Sequence, residues 1–102
     1  MFVGGFIGSP QMNFIDGKDL GLDENIIYGI RPDKMITGGE IKKAVSVEIK
    51  ELLGSEQILY FSVGDRKCSA KVAANYPDTK TIELSINAQD MYKFDKNGNR
   101  IY

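Results

Sequence analysis

The chain has 102 residues, 42% of them hydrophobic, and its 13 Lys and Arg against 14 Asp and Glu give a formal charge of -1. That length supports one domain around one modest core, burying roughly 65% of the unfolded surface, and the interleaved charges offer nucleic acid or an acidic lipid surface no bulk attraction. With no His the usual zinc and haem ligand sets cannot be assembled, and the single Cys68 cannot close an internal disulfide, which fits a reducing, cytoplasmic setting without metal or cofactor.

The first stretch, MFVGGFIGSPQMNFIDG, is apolar but split by glycines. It lacks the positive n-region and unbroken apolar run of a secretory signal, and no window approaches the roughly 20 apolar residues of a membrane span. A soluble chain is expected. Met1 to Ile7 forms a weak element, a last helical turn or an edge strand, ended by Gly8-Ser9-Pro10 before a new element begins at Asn13 to Ile15. Lys18 to Glu24 is a polar connection, Asn25 to Arg31 a short strand stopped by Pro32, and Thr37-Gly38-Gly39-Glu40 a turn.

From Ile41 to Lys50 the residues alternate, with Ile41, Val45, Val47 and Ile49 on one side and only Lys43 breaking that face, so one half-buried strand is predicted. Leu53-Gly54-Ser55-Glu56 turns the chain into a second strand, Gln57 to Val63, and Gly64-Asp65 turns that into a third starting at Arg66, in which Cys68, Ala70 and Val72 alternate with Lys67, Ser69 and Lys71. Asn75-Tyr76-Pro77-Asp78 is a loop. Thr81 to Ile86 alternates as a fourth strand. Met91 to Asp95 and Arg100 to Tyr102 flank Asn97-Gly98, a strong local hairpin signal. The fold class predicted is all-β: a small OB-like antiparallel barrel, whose closure the sequence leaves open.

Catalytic chemistry finds little to stand on. Nucleophile and base arrangements need a His or an equivalent, and Cys68, mid-strand among small residues, reads as a buried structural thiol. Asp16, Asp19, Asp23, Glu24 and Asp33 show no acid/base spacing and read as solvated surface. Gly4-Gly5-Phe6-Ile7-Gly8-Ser9 lacks the Lys and Ser/Thr that end a phosphate-binding loop. Tyr60, Phe61, Tyr76, Tyr92 and Phe94 supply rings for stacking, but alternating aromatics of this kind serve a core, and the charge balance disfavours nucleic acid.

Four phrases carry a more specific pattern: FVGGFIGSPQMNFIDG (Phe2 to Gly17), YGIRPDKM (Tyr28 to Met35), VEIKELLGSEQILYFSVGDRKCSAKV (Val47 to Val72) and LSINAQDMYKFDKNGNRI (Leu84 to Ile101). In this order they resemble the C-terminal region of the ATP-binding subunits of maltose-type sugar ABC importers, over nearly the whole chain. The resemblance implies a junction from the nucleotide-binding domain over residues 1–17 and a transport-associated OB (TOBE) domain over 18–102. The Walker A, signature and Walker B motifs of such subunits do not occur in the sequence, so no ATPase activity is expected. Family members also carry a longer hairpin where only Lys18 to Tyr28 intervenes here, which bears on barrel closure.

What the resemblance implies functionally is a regulatory domain that pairs with its counterpart in the partner ATPase subunit and receives regulatory proteins at the inner face of the membrane. Candidate interface residues are Arg31, Asp33, Ser55 and Glu56, together with Phe2, Val3, Phe6 and Ile7, an apolar seam toward the nucleotide-binding domain through which a homodimer is expected. Turn duties compete for the first group, with Asp33 following Pro32 and Gly54-Ser55 reversing the chain. The alternative is a small-oxyanion or oligosaccharide-binding OB module, for which Lys42, Lys43, Arg66 and Lys67 would supply charge.

Overall fold

The structure, a computed structural model, describes residues 11–102. Among them are nine strands and three short 3-10 turns, with no α-helix: β1 (Asn13–Asp16), β2 (Ile27–Ile30), β3 (Ile41–Ser46), β4 (Ile49–Leu53), β5 (Glu56–Val63), β6 (Arg66–Ala73), β7 (Thr81–Ile86), β8 (Tyr92–Phe94) and β9 (Arg100–Ile101). Every ladder is antiparallel, in three sheets ordered β1-β2-β8-β9, β3-β7 and β4-β5-β6. Among the described residues the ladders do not join into a closed ring, so the architecture they form is all-β, OB-like and open.

One core serves all three sheets. Ile15 and Ile30 from the first sheet, Leu84 and Ile86 from β7, and Leu59, Phe61 and Val63 from β5 are each no more than 2% exposed and pack together with Met35. Their placement follows from period two: in β5 Gln57, Leu59, Phe61 and Val63 all face inward, opposite Val72, Ala70, Cys68 and Arg66 of β6. Cys68 is buried in this core as a packing residue, and burial, which favours the protonated form, pushes its thiol up to about 11 against the opposing pull of Arg66.

The alternation from Ile41 to Lys50 misleads at one place. It predicts one strand, whereas the chain forms two that belong to different sheets: β3 pairs with β7, and β4 pairs with β5. The transfer occurs at Val47-Glu48, where the Val47 N–H donates to the Lys80 carbonyl (2.8 Å) and the Glu48 N–H to the Tyr60 carbonyl (2.8 Å). Glu48 and Ile49 both stand against Tyr60, the two-against-one count of a β-bulge, which bends a strand and turns its faces. Ile49 consequently leaves the core and is 63% exposed.

The β1 strand lies inside the interval expected to be a junction, and it is built into the domain. Besides its ladder with β2, it sends the buried Asn13 side chain across to β6: Nδ2 donates to the Ser69 carbonyl (2.7 Å), and the Ser69 N–H donates to Oδ1 (2.8 Å). A carboxamide here does what a neighbouring strand's backbone would do, joining the first sheet to the third.

Candidate functional site

Two surfaces stand out from this frame, and the first is the outer face of the β1-β2-β8-β9 sheet. Register sets its content: Phe14 and Tyr92 lie opposite Gly29 on either side, and Phe94 is paired with Arg100. Residues directly opposite share a face. Ile15, Tyr28 and Ile30 point to the core, so Phe14, Arg31, Tyr92, Phe94 and Arg100 point away from it. Phe14 and Phe94 meet edge to face with centroids 5.5 Å apart. They can do so because residue 29 is glycine: a Cβ there would come within 2.6 Å of Met12 Sδ and 3.0 Å of the Phe94 ring.

Beside that pair sit two guanidinium groups. The Arg100 Cζ is 4.6 Å from the Tyr92 ring centroid and 4.8 Å from that of Tyr102, and the Arg31 Cζ is 5.8 Å from the Tyr92 centroid. The turn that delivers Arg100 is held by Asp95, whose carboxylate accepts the N–H groups of Asn97 and Asn99, both at 2.9 Å. Those bonds, with that of Asn99 foremost, hold its carboxyl below the ordinary value.

The second surface is the β4 edge. Among the described residues it lies outermost in its sheet, and all five of its residues are exposed, with Ile49, Leu52 and Leu53 at 63%, 71% and 49%. Leu53 and Glu56 close a two-residue turn through Gly54, whose φ of 68° is one that L side chains rarely adopt. In such a hairpin the pairs Leu53–Glu56, Glu51–Ile58 and Ile49–Tyr60 bond inward, which leaves the backbone N–H and C=O of Lys50 and Leu52 directed outward along an open edge.

The predicted site residues divide between these two surfaces. Arg31 joins the aromatic face, and Asp33 is exposed in the adjoining 3-10 turn Pro32–Lys34. Ser55 is exposed in the β4–β5 turn, where its carbonyl accepts from the Ala74 N–H (3.0 Å), and Glu56 forms an ion pair with Lys71 (3.4 Å) across the sheet. The turn duty of Gly54-Ser55 is therefore real. Phe2, Val3, Phe6 and Ile7 lie outside the described residues.

Of the four cations named for an oxyanion, three already face a carboxylate, Lys42 with Glu83 (3.8 Å), Arg66 with Asp16 (3.3 Å) and Lys67 with Glu48 (3.5 Å), while Lys43, half-buried on β3, has no ion-pair partner among the described residues. Sequence reasoning missed Arg100, Tyr102, Leu52 and Leu53. A signal for the leucines existed in Leu52-Leu53, because adjacent strand residues cannot both face one core. Tyr92 and Phe94, expected in the core, are instead half-buried on the outer face.

No protein-family model matches the chain. Individual relatives do. It is 34% identical to the sulfoquinovosyl glycerol transport ATP-binding protein SmoE of Agrobacterium fabrum over 112 positions, covering 84% of this chain and 31% of that protein. It is 30% identical to the oligosaccharides import ATP-binding protein MsmX of Bacillus subtilis, covering 91% of this chain and 34% of that protein. It is 29% identical to the multiple sugar-binding transport ATP-binding protein MsmK of Streptococcus mutans, covering 92% and 34%. The chain thus spans about a third of the length of the curated relatives it matches. The SmoE alignment runs over more positions than this chain has residues, so that relative carries residues this chain lacks. An all-β, OB-like domain aligned along most of its length with a third of such proteins belongs to the family of sugar ABC transporter ATP-binding proteins, as their transport-associated portion.

Proposed function

We propose that the chain is a non-catalytic interaction domain of the ATP-binding subunit of a carbohydrate ABC importer. In this reading it pairs with its counterpart and with a nucleotide-binding domain at the cytoplasmic face of the membrane, and it receives regulatory proteins there. The observation that supports it best is the β4 edge, where exposed apolar side chains on both faces occur together with backbone groups unpaired among the described residues. Open edges of this kind are ordinarily shortened, charged or covered, and a docked protein surface covers one by burying Ile49, Leu52 and Leu53. Such a domain acts by changing the relative stability of assembly states, which is a coupling free energy and needs no catalytic group.

Sedimentation of the chain across a concentration series, alone and with the nucleotide-binding domain of a sugar ABC importer, tests this reading. Association is expected, and Leu52→Lys together with Leu53→Lys should weaken it about tenfold or more. The double variant should keep its circular dichroism spectrum, since both side chains are exposed. A chain that stays monomeric and ignores the added domain sinks the proposal.

A further inference from the structure

The outer face of the β1-β2-β8-β9 sheet carries an inference about the chemistry of a partner, which rests on the reading of the domain as an interaction module. Lys42, Lys50, Arg66, Lys67 and Lys71 each face a carboxylate. Arg31 and Arg100 do not, among the described residues, and neither do Lys18, Lys34, Lys43, Lys80, Lys93 and Lys96; what sets the two arginines apart is that both lie against the same ring, Tyr92, so they can be no farther apart than their two distances to its centroid combined. Two exposed like charges set against one ring repel, weakly where solvent screens them, and the ring quadrupole offsets part of that. An anion placed between them would relieve the repulsion.

We propose that this face docks an acidic segment of a partner protein, with Arg31 and Arg100 gripping its carboxylates and Tyr92 and Tyr102 forming the aromatic floor. A guanidinium presents a planar fork that binds carboxylate through two parallel N–H···O bonds. Here the guanidinium of Arg100 lies over the half-buried Tyr92 ring, with the fully exposed Tyr102 ring also beside it, and the Asp95 turn fixes the strand that carries it, so part of the ordering that binding requires is already in place. Arginine and tyrosine in an exposed aromatic setting are also the residues that dominate protein interfaces. An anionic membrane fits less well: a lipid surface rewards many lysines on one plane, whereas the chain has a net charge of -1 and the neighbouring Asp33 is acidic.

The test is a titration of the isotopically labelled chain with a capped hexaglutamate peptide, followed by amide chemical shifts, with the hexaglutamine peptide, inorganic phosphate and vesicles containing anionic lipid as separate arms. Shift changes are expected at Arg31, Tyr92, Arg100 and Tyr102 with hexaglutamate and not with hexaglutamine. Arg100→Ala and Arg31→Ala should each weaken binding about tenfold, and Arg100→Lys should restore only part of the loss. Four outcomes overturn the proposal, the first three being changes confined to other basic residues, equal responses to both peptides, and vesicle binding that the arginine variants abolish while hexaglutamate has no effect. Phosphate that produces the same shifts at equal affinity also overturns it, since the site would then read bare charge. Unfolded variants would be evident from their spectra, and Arg100→Lys, which keeps the charge and the stem, then carries the comparison. Assembly through the β4 edge is measured independently by sedimentation with Leu52 and Leu53 variants, so failure here leaves that reading standing or falling by itself.

Discussion

Replacing Asn13 by alanine is expected to destabilise the domain by about 2 to 4 kcal/mol, and replacing it by aspartate by at least as much. The residue is 4% exposed, and its carboxamide meets both backbone groups of Ser69, itself 6% exposed. Alanine leaves a buried N–H and a buried C=O with no partner, each an unmet group of the costly kind. Aspartate keeps the acceptor for the Ser69 N–H but turns an oxygen toward the Ser69 carbonyl, where Nδ2 now donates at 2.7 Å, and it must also bury a charge or take up a proton. Urea denaturation read by circular dichroism checks this. A loss below about 1 kcal/mol for alanine would mean that the sheets are joined by packing and that the paired bonds are incidental.

Phe61→Ala should cost about 3 to 5 kcal/mol, a large share of the stability of a domain this size. The side chain is 1% exposed near the middle of β5, flanked on its own strand by Leu59 and Val63 and opposed by Cys68 on β6. Its neighbours come from strands fixed by their own ladders, so they cannot collapse into the space that truncation opens. The expected drop in melting temperature is about 15 °C or more, while Phe61→Leu should fall well short of that. A melting temperature within a few degrees of the parent would show that the core closes over the gap.

Much of the fold was legible because the evidence for it is local. The β5–β6 hairpin, β7 and the Asn97-Gly98 turn all appear in the structure near their expected places, since period-two alternation and turn residues act over a few neighbouring positions. The division of Ile41–Lys50 was not legible, because alternation runs smoothly through Val47 while the change of sheet is decided by Lys80 and Tyr60, residues remote in sequence. Asn13 was hidden for the same reason, its partner being Ser69. The outer face escaped notice for a different reason. In a strand as short as Tyr92–Phe94, with rings at both ends and a lysine between, hydrophobicity points the rings inward, and only the pairing of Tyr92 with Gly29 shows that this side faces out. Arg31 was singled out from its motif, but its setting against Tyr92 depends on that same pairing.

Ser46 and Thr81 stand opposite each other at the end of the β3–β7 ladder, and the whole β4-β5-β6 meander runs between them in sequence. Its two ends therefore meet at one point, which sets an order of assembly. Closing β3 on β7 around a flexible chain means paying the entropy of a long loop, whereas a meander already zipped by its neighbouring hairpins presents both ends close together. During refolding, the amides of β5 and β6 are accordingly expected to gain protection from hydrogen exchange before those of β3 and β7, and simultaneous protection would show that the long-range ladder needs no such template.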